Sequence, residues 1–221
     1  MAAAYPACKG RIEKCYQTGN VFPCFIAAQT CNAGMLLPYT TSGQNVYDVR
    51  RKCGKNPLCY DVLDSITRYL NRPEVQRSIK VVPTKYQGCN MAINLLFGTT
   101  GDWMKPFQGY VADVLHANVN VLIYAGDADF ICNWMGNHAW TLALPWDGQA
   151  AFQSLSEVAW NDPASGNQTG VVREYRAPQS ASHGSFTFLR VFGAGHMVPY
   201  DQPKSSLDMV QRWTHNVSLI A

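Results

Sequence analysis

The run Val191-Phe-Gly-Ala-Gly-His-Met-Val-Pro-Tyr-Asp-Gln-Pro203 decides how the chain is to be folded. It continues a β-prone apolar segment, Phe186-Thr-Phe-Leu-Arg-Val-Phe192, and its two prolines, Pro199 and Pro203, lead into an amphipathic segment. Strand, tight turn and helix follow one another in that pattern. Glycines at 193 and 195 tolerate positive φ and close backbone approach, so the turn can be sharp and His196 can sit on a loop above a sheet. A histidine so placed serves equally well as a general base or as a turn residue satisfying local hydrogen bonds, and this stretch alone does not choose.

A second stretch of the same kind lies upstream. Asn120-Val-Leu-Ile-Tyr-Ala125 is a short continuous apolar run of the type found in a fully buried parallel strand, and it ends in Gly126-Asp-Ala-Asp129. Carboxylates at the C-terminal end of such a strand stand where open α/β sheets place their chemistry, although an aspartate there also serves as a turn or helix cap. With two in one turn, one can cap and the other can act. Phe130-Ile-Cys-Asn-Trp134 follows, then a predicted helix through Trp140. Asp before His is the order in which an α/β-hydrolase presents the last two members of a Ser, Asp, His triad. The nucleophile is the gap: no Gly-x-Ser-x-Gly occurs, and Ser185 falls within a predicted strand. Cys132 is set aside as a nucleophile because a thiol three residues after the carboxylate is expected on the wrong side of the histidine.

Around these loops the pattern is α/β. Leu58, Val62, Leu63, Ile66 and Leu70 recur at helical spacing and stop before Pro73, which opens another helix through Ile79. Residues 107–115 read as an amphipathic helix, residues 147–170 as a solvent-exposed excursion, and Val171–Arg176 with Ser185–Phe192 as strands. Ser205–Trp213 is predicted as a terminal helix packed on the sheet, and residues 8–60 as irregular and punctuated by cysteines.

Composition bounds the function. The 221 residues are 47% hydrophobic and 12% aromatic, enough for a large core. Eighteen basic and fifteen acidic residues leave a charge of +3 without a basic run, so nucleic acid has no electrostatic footprint. No apolar run approaches the roughly 18 to 20 residues that span a bilayer, so no membrane partner is expected. Seven of the eight cysteines precede residue 90, which points to disulfides and an oxidising compartment, with pairings that spacing alone leaves open. No Cys-x2-Cys or His pair accompanies them, so no metal is expected. Met1-Ala-Ala-Ala-Tyr-Pro lacks the apolar core of a signal peptide, whereas Asn167-Gln-Thr169 and Asn216-Val-Ser218 are glycosylation triplets; together they predict a chain that starts inside a longer secreted or vacuolar protein.

Val121-Leu-Ile-Tyr-Ala-Gly-Asp-Ala-Asp-Phe-Ile-Cys-Asn-Trp134 and the stretch from Phe192 to Pro203 resemble the Asp and His motifs of the serine carboxypeptidases. Gly101-Asp-Trp-Met-Lys-Pro106 and Asn45-Val-Tyr-Asp-Val-Arg50 are similar to the carboxypeptidase Y branch of that family. The resemblance implies the C-terminal part of an α/β-hydrolase sheet, residues 81–221, beneath a helical, disulfide-bonded insertion, residues 1–80. It implies Asp129, not Asp127, as triad carboxylate and His196 as general base and acid. Trp103, Cys132, Met197, Tyr47 and Tyr60 become substrate-binding residues, and Cys8–Cys31, Cys15–Cys24 and Cys53–Cys59 become disulfides. Cys89 is left for a cysteine upstream.

The implied activity is release of C-terminal residues from peptides with a free C-terminus, without a cofactor and in a vacuole, a lysosome or the secretory route. The implied partner is the N-terminal part of the same enzyme, which holds the serine, so this chain alone is expected to be inactive. Two rival expectations stand beside it: a non-catalytic truncated binding or inhibitory module, and part of a related esterase or acyltransferase.

Overall fold

A computed structural model describes residues 1–56 and 58–220. The chain divides into two compact units, one of residues 1–45 and 51–106, the other of residues 46–50 and 107–221.

The first unit is helical. Helix α1 (Tyr5–Thr18) has a proline in its first turn and ends at Gly19, whose φ of 63° lets its amide reach the Cys15 carbonyl. Helix α2 (Val21–Cys31) returns alongside it, passes through a π-helical stretch (Asn32–Leu36) and continues as α3 (Leu37–Thr40). Cys8 and Cys15, like Cys24 and Cys31, are two helical turns apart and so share a face. In an antiparallel hairpin that spacing joins the inner pair and the outer pair, and the bridges are Cys15–Cys24 and Cys8–Cys31. Residues 8–60, expected to be irregular, are therefore helical over much of their length; alanines and disulfides, rather than an amphipathic stripe, hold this hairpin together, which leaves little periodicity to read.

The continuous helical run Val21–Thr40 is also long and apolar enough, by length and composition alone, to cross a membrane, which corrects the expectation that no such run exists. Its polar interruptions conceal it in the sequence. Two disulfides bind it to α1, which carries Lys9, Arg11, Glu13 and Lys14, a neighbour unsuited to a bilayer core.

Cys53 and Cys59 close a short loop ahead of α4 (Val62–Leu70) and α5 (Pro73–Ser78). The extended residues after α5 are held by side-chain amides acting as substitute backbone. Asn71 pairs with both the amide and the carbonyl of Tyr86, and Gln76 does the same for Thr84. Helix α6 (Met91–Thr99) is capped by Asn90. After it, Gly101 lies so close to α2 that a Cβ would stand 2.9 Å from the Cys24 Cβ and 3.0 Å from the Val21 carbonyl. That close approach keeps residues 81–106 with the helical unit. The division thus falls between Pro106 and Phe107, where the sequence reading drew it between residues 80 and 81.

The second unit is built on a four-stranded sheet of order β1-β4-β3-β2, with β1 (Val121–Gly126), β2 (Val158–Asn161), β3 (Gln168–Tyr175) and β4 (Phe186–Val191). Strands β1 and β4 are parallel, in register from Val121 and Phe186 to Gly126 and Val191, and the other pairs are antiparallel. Strand β4 is buried on both faces, whereas β1, expected to be fully buried, is partly exposed from Val121 to Tyr124 as the outer strand of the described sheet. Phe186 and Phe188 face Leu115 of α7 (Gly109–His116), Leu144 beyond α8 (Trp134–Ala143), and Phe152 of α9 (Gln149–Ser154). On the other face, Leu189 and Val191 pack with Val172, Trp160 and Val198 of α10 (Val198–Asp201), and with Met209 of α11 (Pro203–Thr214). Each such fully buried side chain contributes about 1.5 to 3 kcal/mol.

Residues 147–170 are not the solvent-exposed excursion expected. They contain α9, β2 and the start of β3, and Phe152 and Trp160 are buried. Their polar majority faces solvent and hides the few side chains that anchor the segment. The C-terminal residues are tied down by Glu174, buried on β3, which accepts from the Ser218 hydroxyl at 2.7 Å and the Leu219 amide at 3.0 Å.

Candidate active site

The site lies at the C-terminal ends of the parallel strands β1 and β4. Because Gly126 and Val191 are opposite each other in register, the loops that leave them start side by side. The contact is tight: a Cβ on Gly126 would come within 2.3 Å of the Ala194 and Gly195 carbonyls. The loops are also stitched together, with the Asp127 amide donating to the Val191 carbonyl at 3.0 Å and the Ala128 amide to the Ala194 carbonyl at 2.9 Å. Gly193, at φ 66°, makes the turn that brings the second loop back over the first.

Asp129 and His196, 67 residues apart in sequence, meet there with the ring Nδ1 2.9 Å from the carboxylate Oδ2. The other oxygen of Asp129 accepts from the amides of Ile131 at 3.0 Å and Cys132 at 3.2 Å, so the carboxylate cannot swing away from the ring. Asp129 is buried, whereas the His196 side chain is 39% exposed. The Asp129 hydrogen bond, and after it a hydrogen bond with Cys132, push the His196 pKa from 6.5 to about 10 against the opposing effect of desolvation. Asp127 takes no such part; its amide is used in joining the two loops.

Cys132 is an exposed free thiol that hydrogen-bonds the imidazole and lies close to the Asp129 carboxylate as well. The loop turns back after Asp129 as its carboxylate gathers the next amides, and that turn carries the thiol to the ring. Ligand atoms of Asp129, Cys132 and His196 lie within 4.8 Å of one another, so these are the residues that could hold a soft cation. Such a cation would compete with the bond between Asp129 and His196.

Tyr47 packs its ring 5.2 Å from the His196 ring, and its carbonyl accepts the His196 amide at 2.8 Å. Met197, half-buried, follows the histidine and caps α10. Trp103, largely exposed, and Tyr60, buried, belong to the first unit. Sequence reasoning missed Arg50, Asp48 and Asp201, which cluster beside Gly195. Their only sequence signal was membership of the quoted motifs. Among the described residues no serine or threonine hydroxyl is hydrogen-bonded to His196, so the arrangement can accept, hold and return a proton but has no hydroxyl nucleophile on it.

Comparison with known proteins is specific. Residues 1–216 match the family described as serine carboxypeptidase. Carboxypeptidase Y of Candida albicans is 47% identical over 213 residues, 96% of this chain and 38% of that protein. Carboxypeptidase Y homolog A of Aspergillus niger is 46% identical over 217 residues, 96% of this chain and 37% of that protein. The chain thus spans well under half the length of these relatives. Among solved structures, Kex1(delta)p, a prohormone-processing carboxypeptidase from Saccharomyces cerevisiae, superposes with a TM-score of 0.65 over 86% of this chain and 42% of that one, at 21% identity, which shows a shared fold.

Proposed function

This chain belongs to the serine carboxypeptidase family, and from that premise we propose that it supplies the acid-base half of a Ser-Asp-His triad that removes C-terminal residues from peptides. The observation that supports this reading is the 2.9 Å contact between Asp129 Oδ2 and His196 Nδ1 at adjacent parallel strand ends. Asp129 accepts from Nδ1 and fixes the tautomer, which leaves Nε2 to take the proton of a nucleophilic hydroxyl. The Asp129 contact also stabilises the imidazolium formed at that step; with the ring's pKa raised to about 10, it is the neutral fraction of His196 that accepts the proton. The ring then returns the proton to the leaving amine, and repeats the cycle with water to release the acyl group. The serine comes from sequence outside these 221 residues, and this chain alone does not form an acyl-enzyme. Tyr47 and Cys132, beside the imidazole, and Met197, which follows it in the chain, contact the substrate.

The three disulfides fit an oxidising compartment, and the vacuole or the secretory route is the proposed location. Asn167, exposed after β2, and Asn216 are proposed carriers of glycans.

Labelling with a fluorophosphonate tests the reading. The longer protein that includes its Gly-x-Ser-x-Gly is expected to label and to lose labelling on His196→Ala, and the 221-residue chain is expected not to label. Labelling of the isolated chain, or cleavage of esters but not of peptides by the longer protein, would overturn it.

A further inference from the structure

The strip Val46–Arg50 belongs to the second unit, and its backbone joins the two loops of the site. The Val46 carbonyl accepts from the amides of Phe130 at 3.2 Å and Ile131 at 3.0 Å, and the Val49 amide donates to the Ala128 carbonyl at 2.9 Å. These three bonds hold the Asp129 loop. The Tyr47 carbonyl holds the other loop through the His196 amide, at 2.8 Å. The strip is neither helix nor strand, so its shape depends on side chains.

Those side chains form a charged cluster. Asp48 Oδ1 accepts from the Arg50 amide at 3.0 Å and from Nε at 2.8 Å, while Oδ2 accepts from Nη2 at 2.8 Å, a two-pronged grip. The same Nη2 reaches Asp201 Oδ2 at 3.4 Å, and that oxygen accepts the Gly195 amide at 2.7 Å. Asp127 adds a third carboxylate to the field on the guanidinium. Exposed ion pairs contribute little, but here the carboxylates of Asp48 and Asp201 are 2% and 5% exposed. Without the guanidinium both buried carboxylates would lose the hydrogen bonds and the charge it supplies.

We infer that Arg50 is a positioning residue for His196: by gathering Asp48 and Asp201 on one guanidinium, it locks the Val46–Arg50 strip across the loops that carry Asp129 and His196. The catalytic side of this inference rests on the proposed function above. Gly195 leaves no slack in the coupling, because a Cβ there would stand 2.4 Å from the Tyr47 carbonyl, 3.1 Å from the Asp48 Cβ and 3.3 Å from Asp201 Oδ2. A shift of the strip therefore moves the residue before His196 and the amide of His196 itself. Lysine would keep a charge but not the planar fork that holds the side chain and the amide to one carboxylate.

The test uses Arg50→Met, Arg50→Lys and the double variant Asp48→Asn/Arg50→Met, which removes both charges of the Asp48–Arg50 pair. In the full chain, nitrogen-labelled imidazole resonances report the His196 Nδ1–H bond to Asp129. In the longer active protein, kcat and KM are separated. The double variant is expected to weaken the Nδ1–H signature and to lower kcat by about tenfold to a hundredfold with KM little changed. Arg50→Lys is expected to fall between it and the wild type, and decides the matter if the other variants do not fold.

A folded double variant with wild-type imidazole resonances and wild-type kcat would overturn the inference. If instead His196→Ala leaves activity intact, the proposed function fails, and the resonance measurement still decides whether Arg50 positions the ring.

Discussion

Asp129 divides its two oxygens between separate tasks: Oδ2 meets His196 Nδ1 at 2.9 Å, while Oδ1 is held by the amides of Ile131 and Cys132. The carboxylate thus orients the ring and is itself oriented by its own loop. Replacing it with asparagine keeps the shape but presents an amide donor that favours the wrong tautomer. In the longer protein, Asp129→Asn is expected to lower kcat by about 10⁴. A loss of less than about tenfold would mean that Asp129 does not orient the base.

Protonation of His196 links the site to folding. Its pKa is raised from 6.5 to about 10, so it binds its proton more tightly in the folded chain than in the unfolded one. The stabilisation is complete below pH 6.5 and is lost as the pH rises through about 10. With the side chain 39% exposed, solvent screening keeps the effect modest. The Tm difference between wild type and His196→Gln is expected to shrink across that window, and a pH-independent difference would contradict the linkage.

Cys132 is the second partner that favours the imidazolium. Its replacement by alanine removes that contact and leaves Asp129 in place. The His196 titration midpoint, followed by NMR in the full chain, is expected to move down from about 10. An unchanged midpoint would show that the thiol does not act on the ring.

Glu174 anchors the C-terminal residues from the sheet face that also carries Val172 and Leu189. Glu174→Ala takes the acceptor from the Leu219 amide and the carboxylate partner from Arg176, and leaves the Ser218 hydroxyl only the Ile220 carbonyl. The expected loss is about 1 to 3 kcal/mol of unfolding free energy, seen in denaturant melts, together with faster proteolysis of the C-terminal residues. Wild-type stability and protection would show that Leu219 alone holds the end of the chain.

Gly126→Ala puts a methyl group where the Ala194 and Gly195 carbonyls already lie within 2.3 Å. The loops can accommodate it only by separating. A lower Tm is expected, along with weakening of the His196 Nδ1–H signature; an unperturbed variant would show that the two loops are not in close contact.

The sequence alone determined the local grammar of this protein. A continuous apolar run marked β1 and a β-prone segment marked β4, glycines and prolines marked the turns that leave them, and helical spacing marked α4, α7 and α11. These signals are legible because each arises within one or two turns of chain, from side-chain periodicity and backbone sterics. The polar segment 147–170 misled because a few buried side chains, Phe152 and Trp160 among them, anchor it without setting a period.

The family motifs already pointed to Asp129 and His196, and only the tertiary structure shows how they are brought together. Parallel pairing of β1 with β4 brings Asp129 rather than Asp127 to His196, the turn after Asp129 carries Cys132 to the ring, and the strip at Tyr47 closes over both loops. Such encounters depend on strand register across more than sixty intervening residues. No local period encodes that, and the Gly-Ala-Gly turn before His196 acquires its purpose only when the neighbouring strand is in place.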